Sequence, residues 1–191
     1  MMVSLQAKFN FALAPEELEH YVKEEENRVI AKLEAKAQPC VGVTEELEKL
    51  AASKKYELAV VSSSALRRVR ASIKKVGQEK YFPHDHVFSA ATSLPTPTTK
   101  PDPAIYLHTL KVMNKDASEC IAIEDSKSGS LSAIRANIPV IAYVGCYEGA
   151  EKQAEMAKTL LDLGAKVVMR DWSEFEKCIA EIESGSAQAA L

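Results

Sequence analysis

The stretch that decides the fold is Ile121-Ala122-Ile123-Glu124-Asp125-Ser126-Lys127-Ser128-Gly129. Its apolar beginning predicts a buried strand, and its Ser and Gly residues predict a turn that opens a helix. Glu124 and Asp125 therefore follow the carboxyl end of a strand, where open α/β sheets place their ligand crevice. Two carboxylates there favour a hard cation such as Mg²⁺, which often takes only one or two carboxylates from the protein. The alternative is that Asp125 or Ser126 only caps the following helix.

Around this stretch the chain alternates strands and helices. The strands are apolar throughout, and the segments between them carry apolar residues at helical spacing. This pattern predicts an α/β fold with a parallel sheet that is covered by helices on both faces. The predicted strands are 58–61, 86–88, 121–123, 140–144 and 166–169, and the predicted helices include 65–76 and 101–113. Ser173 and Glu176 are expected to form a capping box for the last helix.

The N-terminal part has a different character. An amphipathic helix is predicted over 16–36, because apolar residues recur near a 3.6 period and glutamates cover the other face. A break at 38–42 follows, and Thr44 is expected to cap a second helix. Residues 39–42 of this break are a candidate hinge.

Composition limits the classes of function. The chain has 191 residues, 47% of them hydrophobic, and a formal charge of −3, which argues against a nucleic-acid surface. No apolar run reaches membrane-span length, so no membrane partner is expected and a cytoplasmic location is predicted. The four cysteines lack C-x-x-C spacing and are expected to be reduced and mostly buried. A monomer or a homodimer is expected.

Polar residues follow three predicted strands. Ser62-Ser63-Ser64 follows the first strand, Lys100 follows the second, and Glu124 with Asp125 follows the third. Hydroxyls and backbone N–H groups at a helix start favour an anion, and a lysine ammonium suits a phosphate oxygen or a carboxylate. Taken singly, the serines could be a helix cap and Lys100 a solvated loop residue. Their order on successive strands favours one shared site.

These segments, together with Lys100-Pro101-Asp102-Pro103-Ala104-Ile105-Tyr106, resemble the second, third and fourth motifs of the haloacid dehalogenase-like (HAD) hydrolases. The branch they resemble is that of phosphatases and β-phosphoglucomutases with a helical cap. The resemblance implies a three-layer, Rossmann-like core at 39–184 and a partial cap at 1–38. The residues after the last predicted helix are expected to form a frayed tail at 185–191. The resemblance also implies that Ser62 binds a phosphoryl group, Lys100 stabilises that group, and Glu124 with Asp125 holds Mg²⁺. Ser63 is a further candidate phosphate-binding residue, from its place in the serine run at the helix start. The implied substrate is a small phosphorylated metabolite.

The family's nucleophile has no match. In the family it is the first aspartate of a D-x-D motif after an N-terminal strand, whereas the first aspartate here is Asp85 and no D-x-D occurs in the sequence. Phosphate binding without turnover is therefore expected. His84-Asp85-His86 could hold a metal, but an exposed turn is the favoured interpretation.

Two interpretations of the function follow. In the first, this is a Mg²⁺-dependent phosphatase-family enzyme whose catalytic aspartate is missing because the chain is truncated or begins at an internal start. In the second, the protein naturally lacks the nucleophile and acts as a phosphate-binding, regulatory or scaffold protein on the same fold.

The missing strand also affects the sheet. By resemblance it belongs between the strands 58–61 and 121–123, and an empty position would leave unpaired backbone groups. Direct pairing of these two strands is therefore expected. The alternatives are insertion of N-terminal residues, which have a weak strand pattern around 8–13, or of a second copy of the chain.

Overall fold

The computed structural model describes residues 13–185. The weak strand pattern around 8–13 and the tail at 185–191 therefore lie almost wholly outside the described residues. The strands are β1 (Val60–Ser62), β2 (Val87–Ser89), β3 (Ala122–Glu124), β4 (Val140–Tyr143) and β5 (Val167–Met169). The α-helices are α1 (Pro15–Lys36), α2 (Val43–Ser53), α3 (Leu66–Lys75), α4 (Ala104–Met113), α5 (Lys127–Arg135), α6 (Ala150–Asp162) and α7 (Phe175–Glu183).

The strand pairs within residues 13–185 are all parallel, and they form two sheets. β1 pairs with β2, with Val61 opposite Phe88. The second sheet has the order β3-β4-β5, with Ile123 opposite Ile141. Each parallel connection passes through a helix, as a crossover requires. The predicted α/β architecture with parallel strands is thus confirmed.

The expected direct pairing of β1 with β3 is wrong. Within residues 13–185 the two strands belong to different sheets and neither pairs with the other. The expectation assumed that the unpaired backbone N–H and C=O groups of these strands would be buried. However, β1 is only half-buried, and Ile123 in the middle of β3 is 37% exposed. The carbonyl of Val61 also accepts a hydrogen bond from the Lys100 ammonium at 2.8 Å. Among residues 13–185, this side chain satisfies one carbonyl on the edge of β1 that faces away from β2.

The two sheets nevertheless share a core. One face of both is covered by α4, α5 and α6, where Val61 of β1 packs in the same apolar cluster as Ala122 of β3 and Ile105 of α4. On the other face, α7 and Met169 of β5 form a separate cluster. The common cluster keeps the carboxyl ends of β1 and β3 close to each other.

α1 differs from the other helices. It begins with Pro15, suited to a first helical turn, and confirms the predicted helix. The predicted division of its faces is wrong, because Val22 is 46% exposed whereas Glu25 and Glu26 are half-buried against α3. No residue of α1 is buried, whereas every α-helix from α2 to α7 buries at least one. α1 packs on α3 through the ion pairs Glu25–Arg68 and Glu26–Arg67, the latter 2.7 Å long. Across residues 13–185, no helix is both long and apolar enough to cross a membrane.

Two predicted helix caps are wrong. α2 begins one residue before Thr44, and its N-cap is Gly42, whose φ of 83° lies in the left-handed region that glycine tolerates. α7 begins at Phe175, because Trp172–Glu174 forms a separate 3₁₀ turn capped by Asp171. The Asp171 carboxylate accepts from the backbone N–H of Ser173 at 2.9 Å, so Ser173 is the capped residue and not the cap.

Candidate functional site

Lys100 joins the three predicted motifs at one edge of the fold. It lies in the connection from β2 to α4, and its backbone N–H donates to Ser63 Oγ at 3.0 Å. Its ammonium donates to the carbonyl of Val61 at 2.8 Å and to Glu124 Oε1. The structure therefore brings together the serines after β1, the lysine after β2 and the carboxylate that ends β3.

The ion pair between Lys100 and Glu124 is buried. The side chain of each residue is only 9% exposed. Removing one partner of such a pair typically costs about 3–5 kcal/mol, because the other charge is left unpaired in a poorly solvated place. The interpretation of Lys100 as a solvated loop residue is therefore wrong.

Tyr106 is a third member of this cluster. It lies on α4, and its hydroxyl donates to the same Glu124 Oε1 that receives the Lys100 ammonium. The Lys100 Nζ lies 4.9 Å from the centre of the Tyr106 ring, within the range of a cation–π contact. Burial, reinforced by the negative charge of Glu124, raises the pKa of Tyr106 well above its ordinary value. The hydroxyl thus stays protonated and acts as a donor.

Gly129 gives the Glu124 carboxylate the space that it occupies. A Cβ atom on Gly129 would lie 1.8 Å from Glu124 Oε2 and 2.4 Å from its Cδ. The same glycine donates its backbone N–H to Ser126 Oγ at 3.0 Å, which caps α5. The two interpretations of the opening stretch therefore coexist, since Ser126 caps the helix while Glu124 belongs to the site.

Asp125 is exposed and stands beside Glu124 at the end of β3. The Cys146 thiol donates a long hydrogen bond of 3.8 Å to Asp125 Oδ2, and the Tyr147 hydroxyl donates to the Asp125 carbonyl at 2.7 Å. Partial burial and the charge of Asp125 raise the pKa of Cys146 to about 11. A neutral thiol leaves most of the Asp125 carboxylate open to solvent or to a cation.

The serine run begins at the last residue of β1 and continues into a hydrogen-bonded loop. Ser62 Oγ accepts from the backbone N–H of Ser64 at 3.1 Å, and the Ser64 carbonyl accepts from Ser89 Oγ at 2.7 Å. The first N–H of α3, that of Leu66, donates to Thr92 Oγ1 at 3.2 Å. Thr92 and not a serine therefore accepts from this helix start, while Ser63 Oγ accepts from the backbone N–H of Lys100.

The other metal candidate does not join the site. His84–His86 is a 3₁₀ turn before β2, at the opposite end of the strand from Lys100. His84 Nδ1 lies 3.1 Å from the Arg70 guanidinium, and His86 Nδ1 lies 3.1 Å from the carbonyl of Leu58. A neighbouring guanidinium disfavours a cation at His84 on electrostatic grounds.

Sequence reasoning gave no role to Tyr106, Cys146 or Tyr147. Tyr106 falls on the apolar face of its helix, so its burial was readable from the helical period, but its hydroxyl contact was not. The expectation of mostly buried cysteines is wrong for Cys40 and Cys146, which are exposed, and right for Cys178.

Comparison with known proteins identifies the class. The family model of haloacid dehalogenase-like hydrolases matches residues 3–143, so this chain belongs to that family. The resemblance of the three motifs is thus confirmed. Among solved structures, a putative β-phosphoglucomutase from Thermotoga maritima superposes with a TM-score of 0.64 and 27% identity, over 93% of this chain and 74% of that chain.

Two relatives are phosphatases by name. The phosphorylated carbohydrates phosphatase of Thermotoga maritima is 34% identical over 149 residues, which cover 78% of this chain and 62% of that protein. The 6-phosphogluconate phosphatase of Escherichia coli is 35% identical over 83 residues, which cover 44% of this chain and 36% of that protein. The matches thus span less than two thirds of the length of either relative.

Proposed function

We propose that this chain carries the phosphate-binding and Mg²⁺-binding part of a phosphomonoester phosphatase-type site. Ser62, Ser63 and Lys100 contact the phosphate oxygens, and Glu124 and Asp125 hold the cation. The observation that supports this most is the position of Lys100, which is hydrogen-bonded to both Ser63 and Glu124. The backbone N–H of Lys100 contacts Ser63, and its buried ammonium contacts the Val61 carbonyl and Glu124. Lys100 thereby links the ends of β1 and β3, an arrangement suited to stabilising an oxyanion.

The donor set fits Mg²⁺. Within residues 13–185 no group of three or more His, Cys, Asp or Glu could hold a metal, but Mg²⁺ needs only one or two carboxylates and takes its remaining ligands from phosphate and water. Asp125 offers an exposed carboxylate for this purpose. When bound, the cation would neutralise charge on the phosphate oxygens. Lys100 supplies a second, fixed positive charge from the protein.

We further propose that the chain by itself does not turn over phosphomonoesters. The sequence contains no D-x-D, and no G-x-S-x-G surrounds Ser62 to Ser64. Positioning and charge stabilisation without the nucleophile leave only about 10³ to 10⁴ of catalysis over water in comparable hydrolases. Binding is therefore separable from turnover in this chain.

The substrate class follows from the relatives. Both are named for phosphorylated carbohydrates or a phosphorylated sugar acid, so we propose a small phosphorylated sugar or sugar acid as the ligand. We further propose that the chain divides into a cap segment at 1–38 and a core at 39–184. It is supported by α1, which packs on α3 yet buries none of its own residues.

An assay of the full chain with Mg²⁺ and p-nitrophenyl phosphate tests the proposal. We expect the rate to equal that of a Lys100→Ala variant prepared in parallel, with circular dichroism showing that both are folded. Robust turnover that disappears in Lys100→Ala would show that another group of this chain attacks phosphorus.

A further inference from the structure

We propose that Tyr106 is a positioning residue, whose hydroxyl fixes the Glu124 carboxylate and thereby the Lys100 ammonium. The inference rests on the proposed function, because the orientation of these charges matters only where they face a ligand. It assigns a role to a residue that the three motifs do not explain.

Contacts with three residues fix the position of the Glu124 carboxylate. Lys100 and Tyr106 both donate to Oε1, and the Cα of Gly129 faces Oε2 so closely that no Cβ would fit. One oxygen of this carboxylate accepts two hydrogen bonds, and the other lies against Gly129. The carboxylate therefore cannot rotate without breaking a hydrogen bond or clashing with the backbone. Glu124 is only 8% exposed, so water does not replace a lost donor easily.

Tyr106 also acts on Lys100. A lysine ammonium ends a flexible four-carbon chain and has no preferred geometry of its own. The ring of Tyr106 lies 4.9 Å from Nζ, and the hydroxyl of the same ring holds the carboxylate to which Nζ donates. One side chain thus restrains both members of the ion pair.

The packing role and the positioning role of Tyr106 can be separated. Tyr106 is 6% exposed and belongs to the main apolar cluster, so its ring contributes to stability in any case. Phenylalanine keeps the ring, and with it both the apolar packing and the cation–π contact with the Lys100 Nζ. Only the donor to Glu124 is lost in Tyr106→Phe.

The experiment measures hydrogen exchange of the Lys100 ammonium by ¹H–¹⁵N NMR on the full chain, with the signal assigned by its loss in Lys100→Arg. We expect exchange to become about fivefold faster or more in Tyr106→Phe, the change that one hydrogen bond supports. Tyr147→Phe is the matched control, because it removes a hydroxyl that donates to the neighbouring Asp125 backbone and not to a carboxylate. Its Lys100 exchange should stay within twofold of the parent chain.

Unchanged exchange in Tyr106→Phe would overturn the positioning role, and so would equal acceleration in both variants. A lower melting temperature without faster exchange would also overturn it, since that pattern belongs to packing alone. The proposed function is tested separately by adding Mg²⁺ and inorganic phosphate to the parent chain. A Lys100 signal that does not shift on this addition counts against the ligand site, whatever the Tyr106 result.

Discussion

Replacing Gly129 by alanine should destabilise the protein, although a glycine-to-alanine change inside a helix usually stabilises it. Gly129 lies in α5, where alanine normally stabilises a helix by about 1 kcal/mol relative to glycine. Here the new Cβ would lie 1.8 Å from Glu124 Oε2, and the contact involves a carboxylate that two donors hold in place. The carboxylate must move away from Lys100, which costs about 3–5 kcal/mol for a broken buried pair. We expect a net loss of about 2–4 kcal/mol.

Urea unfolding followed by circular dichroism measures this loss as a shift of the midpoint at constant slope. Ser128→Ala is the matched control, since Ser128 is an exposed neighbour in the same helical turn and should change stability by less than about 0.5 kcal/mol. In a Glu124→Ala background the obstacle is gone, so Gly129→Ala should become stabilising by about 1 kcal/mol. A stabilising Gly129→Ala in the parent chain would refute the placement of Glu124.

Three further predictions concern the surroundings of the site. Ser126→Ala should lower the free energy of unfolding by about 1 kcal/mol, because the cap on the Gly129 N–H is lost, and urea unfolding with Ser128→Ala as control measures it. The pKa of Cys146, raised to about 11, predicts that its alkylation rate keeps rising with pH above 9, whereas the rate of an ordinary thiol levels off there. Mass spectrometry of the alkylated protein follows Cys146 separately from the other cysteines. Asp125→Asn should lower the pKa of Cys146, because the charge of Asp125 helps to raise it. The backbone N–H groups of Val61 and Ile123 face the strand edges that nothing in residues 13–185 pairs with, so they should exchange with deuterium faster than those of β4. Protection equal to β4 would show that another segment pairs there.

The meeting of Ser63, Lys100 and Glu124 could be predicted from the sequence. Parallel strands end at one edge of a fold, so residues that follow successive strands converge there whatever their individual rotamers. The acceptors of Lys100 could not be predicted in this way. Its bond to the Val61 carbonyl depends on an edge of β1 that no other strand of residues 13–185 pairs with, which is a property of the assembled sheets and not of the local sequence.

Local capping rules failed for a related reason. Thr44 and Ser173 are good N-cap residue types, but a left-handed Gly42 and a 3₁₀ turn at Trp172–Glu174 set the helix starts instead. A short-range pattern cannot distinguish these turns from a simple cap. Long-range packing, such as the closeness of Gly42 to Trp172, selects among them.

The central claim is that Glu124 and Asp125 hold Mg²⁺ beside Lys100. Isothermal titration of Mg²⁺ into the full chain in the presence of inorganic phosphate tests it most directly. The account predicts weak, saturable binding that falls at least tenfold in Asp125→Ala, a loss of about 1.4 kcal/mol of binding free energy, with the melting temperature nearly unchanged because Asp125 is exposed. An absence of Mg²⁺ binding, or equal binding by Asp125→Ala, would contradict it.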